Sequence, residues 1–153
     1  MKKNPFILIL ILWAFFACKS DKLYETYKTI DPSGWSNDSC AVFNFQVDKN
    51  YLNYNILIDV RNRGDYPNSN LWLFVDVMAP DSTVIRDTVE YQLALPNGKW
   101  TGKGTGGLYT NQFPFRTNVF FPSPGKYTIS VTHAMRTDPL IGISDIGLAV
   151  KRK

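Results

Sequence analysis

"YNILIDVRN", residues 54–62, decides the fold. Read alternately, it places Tyr54, Ile56, Ile58 and Val60 on one face and Asn55, Asp59 and Arg61 on the other. A repeat of two residues belongs to a half-buried strand, whereas a helix would need apolar residues every three to four positions. The same repeat recurs on both sides of this stretch. "AVFNFQV" sets Phe43, Phe45 and Val47 against Asn44 and Gln46, and "NLWLFVDVM" aligns Leu71, Leu73, Val75 and Val77. In the latter, Trp72, Phe74 and Met78 make the second face apolar as well. Towards the end, "KYTISVTHA" aligns Tyr127, Ile129 and Val131, and "DIGLAVKR" aligns Ile146, Leu148 and Val150. Turn-forming clusters such as "NRGDYPNS", "APDS", "PNG", "PSPG" and "RTDP" separate the runs. No segment carries a helical apolar stripe. The expectation is an all-β, single-domain antiparallel β-sandwich, jelly-roll-like or Ig-like, over residues 36–153.

In front of this domain the chain changes character. Lys2 and Lys3 precede an uncharged apolar run from Phe6 to Ala17, too short for the roughly 20 apolar residues of a membrane-spanning helix. A short basic start and a short apolar core read as a signal peptide, residues 1–17. The run ends in "FFAC" and turns polar at once. That junction resembles the lipobox of bacterial lipoproteins, although Phe15 and Phe16 are bulkier than its usual residues. The resemblance implies cleavage before Cys18, diacylglycerol on its sulfur, and an acyl chain such as palmitate on the new N-terminus. Each buried acyl CH₂ is worth about 0.8 kcal/mol, so two or three chains anchor a protein firmly to a membrane. Residues 18–35, polar and punctuated by Pro32 and Gly34, read as the lipidated N-terminus and a tether, with Tyr24, Tyr27 and Ile30 available to dock part of it. Fully extended, such a tether would reach about 55 Å.

Charge and cysteine content exclude several classes. The chain has 17 Lys and Arg against 13 Asp and Glu; loss of Lys2 and Lys3 with the signal peptide leaves 15 against 13, a net charge of +2. That is no footprint for nucleic acid, and the terminal Lys151–Lys153 cluster reads as a solvated end. With Cys18 acylated, Cys40 has no partner for an internal disulfide, and it reads as a small packed hydrophobe. One histidine and one free thiol leave no structural zinc site, and no cofactor is expected.

Few residues suggest chemistry. "GKGTGG" has the spacing of a dinucleotide fingerprint in Gly102, Gly104 and Gly107, but "LYTNQFPF" follows it where a helix start is required. It reads as a loop between strands. His133 is the one imidazole and lies in phase with Tyr127, Ile129 and Val131, so it reads as a strand-face residue rather than a general base. A carboxylate pair such as Asp76 and Asp87, brought together by folding, is what a glycosidase would require. Aromatic residues make up 14% of the chain, and Trp72, Trp100, Tyr109, Phe113 and Phe115 are candidates for stacking on a glycan, with core packing as the competing role.

Taken together, "IDPSGW", "RNRGDYPNSNLWLF" (61–74), "DTVEYQLALPNGKWTGKGTGGLYTNQFP" (87–114), "FPSPGKYTISVTHAMR" and "LIGISDIGL" resemble the GldH family of gliding-motility lipoproteins of the Bacteroidetes. Asn68 and Trp72 stand where that family's usual pattern has tyrosines, and His133 where it commonly has glutamine. The resemblance implies a lipoprotein needed for the envelope gliding machinery, a process linked in these bacteria to a dedicated secretion system. The leading expectation for its role is a non-enzymatic structural or assembly component, with other envelope proteins as partners. Envelope polysaccharide bound by the aromatics is the alternative, and a hydrolase using Asp and His133 is a third reading. Lys19 follows Cys18, so the aspartate that retains enteric lipoproteins at the inner membrane is not at that position. Lipoprotein resemblance therefore implies a lipid-anchored protein of the outer membrane, facing the periplasm. The cysteine count makes one prediction of its own: residues 19–153 should give an unchanged far-ultraviolet β spectrum with and without a thiol reductant.

Overall fold

The structure, a computed structural model, describes residues 21–48 and 50–153. The expected signal peptide, residues 1–17, and Cys18 lie outside the described residues. Eight strands follow in order: β1 Lys22–Thr29, β2 Ala41–Val47, β3 Asn53–Arg63, β4 Asn70–Met78, β5 Val84–Gln92, β6 Leu108–Phe120, β7 Gly125–His133 and β8 Ile143–Arg152. They form two four-stranded sheets, β1-β8-β3-β6 and β2-β7-β4-β5, packed as a sandwich. Every pairing is antiparallel.

The pairs β1·β8, β2·β7, β3·β6 and β4·β5 nest inside one another. The chain is thus one long hairpin, turning between β4 and β5, whose paired strands are rolled into two layers. That is the jelly-roll arrangement rather than the Ig-like one. The alternation explains why it closes. In β2 the buried residues are Ala41, Phe43, Phe45 and Val47, with every intervening residue exposed. In β3, β4, β7 and β8 the predicted inner faces are likewise buried, from Ile58 and Leu73 to Ile129 and Leu148. Each fully buried side chain of this kind contributes about 1.5–3 kcal/mol. At one end of the sandwich an aromatic cluster fills the interior: Tyr54 and Phe45 each pack on Phe121, and Phe121 on Tyr127.

Two expectations are corrected. The tether expected over residues 18–35 is ordered structure from Lys22 onward: Lys22–Thr29 is strand β1, paired along its length with β8. Its inward Tyr24 packs on Phe45 with ring centroids 5.6 Å apart. Beyond it, Trp35 is 1% exposed. Its N–H donates to the Leu140 carbonyl and Leu140 N–H returns the bond, both at 2.8 Å, while its indole N–H donates to the Ser39 carbonyl at 2.8 Å. Trp35 therefore plugs the sandwich. Cys40 is exposed rather than packed, because the inward phase of β2 starts at Ala41; its sulfur lies 3.0 Å from Thr132 Oγ1.

A strand and a tether differ in amide protection. In hydrogen exchange of residues 19–153, alternate amides of Lys22–Thr29 should exchange far more slowly than random-coil amides. Random-coil rates along that whole stretch would contradict the pairing with β8.

Candidate functional site

The five aromatics do not share a surface. Trp72 points outward from β4 next to Phe74, each 37% exposed, and Thr132 of β7 and Thr88 of β5 lie opposite Phe74. The Arg86 guanidinium sits 5.5 Å above the Phe74 ring. Trp100 and Tyr109 meet at the end of the sandwich where β5 joins β6, with ring centroids 5.6 Å apart and Tyr66 beyond at 6.5 Å from Trp100. Phe113 and Phe115 have the parity that faces the opposite sheet and are partly buried against the core. Phe113 stacks on Tyr91 at 4.4 Å and 6°, so one ring face is already occupied. Residues two apart on a strand share a face, which is why these two turn inward together. Trp72 with Phe74 is the aromatic pair that remains on an open sheet face.

The glycine-rich segment is a loop. Lys103 and Thr110 exchange backbone hydrogen bonds of 2.9 and 2.8 Å, and the chain passes directly into β6. A Cβ on Gly104 would stand 1.8 Å from the Leu108 carbonyl oxygen, so the turn itself requires a glycine there. The helix N-terminus that a pyrophosphate needs does not follow.

His133 lies on the inner face of β7, 1% exposed, against the edge of Trp35. Its Nε2 is 3.7 Å from Asp138 Oδ1, and both ring nitrogens are buried without a hydrogen-bond partner. Burial pushes its pKa below the ordinary value, with the Asp138 charge countering in part. A neutral, shielded imidazole of this kind cannot reach a substrate. Asp76 and Asp87 are not brought together either, because they point to opposite faces of β4 and β5. Asp76 accepts two bonds from Arg86, 2.6 and 2.7 Å, which hold its carboxyl below the usual range. Asp87 is paired with Arg116.

One polar constellation was not legible in the sequence. On the outer face of the first sheet, Tyr27, Gly147, Asp59 and Gln112 fall in one row across β1, β8, β3 and β6. Gly147 has no side chain, so Tyr27 lies across it; a Cβ there would stand 2.7 Å from the Tyr27 ring and 2.9 Å from Asp59 Cβ. Asp59, expected on an exposed face, is 1% exposed as a result. Gln112 Nε2 donates to it at 2.8 Å, and Lys151 Nζ donates to Gln112 Oε1 at 3.0 Å. The Arg61 guanidinium covers Tyr27 at 4.0 Å and lies 3.9 Å from Asp145, which accepts from Thr29 at 3.0 Å. Burial, then the Asp59 charge, raises the Tyr27 pKa, so its hydroxyl stays protonated. The network clamps β1 onto the sheet. Its sequence signal was the lone glycine inside an otherwise regular strand, "DIGLAV". Among the described residues, no group of three or more His, Cys, Asp or Glu side chains is placed to hold a metal ion.

The family profile described as GldH lipoprotein matches residues 22–150, the whole sandwich. The gliding motility lipoprotein GldH homolog of Christiangramia forsetii is 34% identical over 156 residues, covering 97% of this chain and 95% of its own length. The gliding motility lipoprotein GldH of Flavobacterium johnsoniae is 30% identical, with 99% and 98% covered. Among solved structures, the VP2 protein of infectious bursal disease virus aligns with 86% of this chain at 14% identity and a TM-score of 0.35, and this chain spans 29% of that one.

The buried imidazole sets a pH dependence. The unfolded chain takes up a proton on His133 near the ordinary pKa of about 6.5, whereas the folded chain resists it. Its contribution is therefore complete above about pH 6.5 and declines as the pH falls, with a slope approaching about 1.4 kcal/mol per pH unit. Asp76, shifted down, keeps its contribution until the pH drops below the ordinary carboxylate value of about 3.9. Urea unfolding between these limits should show the loss in the parent protein and a flatter profile in His133→Gln.

Proposed function

The chain belongs to the GldH lipoprotein family, and from that premise we propose that it is a non-enzymatic structural or assembly component of the gliding machinery. In this reading residues 1–17 are removed, Cys18 carries the lipid, and the sandwich faces the periplasm from the outer membrane. Its partners are other envelope proteins of gliding and of the linked secretion system. One observation carries the proposal: the family match spans the whole sandwich, and the relatives named as gliding motility lipoproteins align over nearly their full lengths. The family relation thus attaches to this domain entire, not to a part joined to something else. The shielded His133 and the arginine-bound carboxylates agree with a role that requires no reaction.

The exposed Trp72 and Phe74, set among threonines on an open sheet face, support a second reading in which envelope polysaccharide stacks there. Oligosaccharides should then quench Trp72 fluorescence, and Trp72→Ala should abolish the quenching. No quenching by envelope glycans would remove this reading and leave the first intact.

The anchor is tested directly. Cys18→Ser should yield a folded domain that no longer sediments with membranes, with gliding lost. Retention of the serine variant on membranes after a high-salt wash would refute the lipid anchor. Digestion of the parent domain by protease added to intact cells would refute the periplasmic orientation alone. Crosslinking in gliding cells should recover envelope proteins with the parent chain.

A further inference from the structure

The sandwich has two unlike ends, and the chain enters at one of them. Asp21 accepts a bond at 2.7 Å from the N–H of Arg152, and β1 begins at Lys22 beside Lys151. The same end holds the start of β3, the turn from β4 to β5, and the passage from β6 to β7. Among the described residues, the four most exposed large hydrophobic side chains are Tyr51 at 70%, Ile85 at 59%, Phe120 at 56% and Val84 at 55%. All four lie at this end: Tyr51 precedes β3, Val84 and Ile85 open β5, and Phe120 closes β6. The other exposed ones reach 44% at most. Ile85 and Phe120 also line an apolar groove of about 290 Å³ between the sheets, together with Phe115 and Val119.

We propose that this end of the domain lies against the phospholipid surface, with Tyr51, Val84, Ile85 and Phe120 inserted among the headgroups. The proposal rests on the lipid anchor at Cys18 and adds the face that anchor presents. Chain length selects the lipid as the occupant. Only Lys19, Ser20 and Asp21 separate Cys18 from Lys22, and at about 3.4 Å per residue the two Cα atoms are at most about 14 Å apart. The headgroup layer itself takes about 6 Å of that distance. A domain held so closely meets the membrane with the end from which its chain leaves, and that end carries the exposed apolar side chains. A tyrosine, with an apolar ring and a polar tip, suits the interfacial depth. Lys151, Arg152 and Lys153 lie alongside, but Asp48 and Asp81 sit at the same end, so apolar contact rather than net charge carries the interaction. It should therefore persist at high salt, where purely electrostatic adhesion is screened.

The experiment uses the full lipidated chain carrying Cys40→Ser, which puts a hydroxyl in place of the thiol beside Thr132. Tyr51→Cys, Ile85→Cys and Phe120→Cys are each labelled with an environment-sensitive fluorophore; Leu95→Cys and Ile141→Cys, at the opposite end, are controls. Cys18, as a thioether, does not label. On reconstitution into phosphatidylethanolamine–phosphatidylglycerol vesicles, the first three labels should shift to the blue and be quenched by brominated lipid, in low and high salt alike. The controls should not change. If the three labels remain as aqueous as the controls on protein that floats with the vesicles, the docked face is refuted while the anchor stands. If the protein does not float, the anchor reading fails and this proposal falls with it. If the three labels are shielded only when envelope proteins are added, the occupant is a protein and the lipid assignment is wrong.

Discussion

The pairing of the first strand with the last holds this molecule together. β1 lies antiparallel to β8, and every further pair nests within that one. Apart from the β4–β5 hairpin, each nested pair joins segments far apart in sequence, so little of the fold can be completed locally. Ordering the intervening chain costs conformational entropy before the contacts repay it. The outermost pair is accordingly reinforced from both sides. Tyr24 packs inward on Phe45, while Tyr27 outward bridges Gly147 to reach Asp59 beneath Arg61. Edge strands otherwise present open hydrogen-bonding rows, and a clamp of this kind keeps β1 from peeling away.

Burial of polar groups follows from the same geometry. Asp59 sits under Tyr27 because β8 has a glycine at the crossing point. His133 sits under Trp35 because the β1–β2 connection folds over the end of the sandwich. Asn111 accepts from Thr101 at 2.9 Å and ties the β5–β6 connection to the interior. A buried polar group without a partner costs about 1–3 kcal/mol, and by remaining neutral His133 avoids the larger cost of burying a charge. The interior polar residues therefore join loops and edges to the core.

The two ends of the sandwich divide the labour. One end carries the longer connections, with Trp35, Trp100 and the glycine-rich loop. The other carries short turns, the first and last described residues, and the most exposed apolar side chains among those described. Correcting the tether to a strand changes the distance scale of the whole molecule. A segment paired into a sheet cannot serve as a flexible leash, so residues 22–29 belong to the domain itself.

Five strands were legible from alternation alone: β2, β3, β4, β7 and β8. They include all four inner strands of the two sheets, each with one buried face and one polar or mixed face. The three that alternation did not reveal, β1, β5 and β6, are all edge strands. Edge position relaxes the pattern without abolishing it: the edge strand β2 alternates fully, whereas β1 and β5 are exposed or half-buried along most of both faces, and β6 even accommodates Pro114, which has no N–H to donate. The family resemblance and the cysteine at the apolar-to-polar junction were likewise local properties of the chain. Burial of Asp59, separation of the five aromatics onto different surfaces, and the collapse of the tether were not. Each depends on what a neighbouring strand places opposite a residue, and here that neighbour lies as far away in sequence as Gly147 from Tyr27. Alternation tells which way a side chain points; only the pairing of distant strands tells what it meets there.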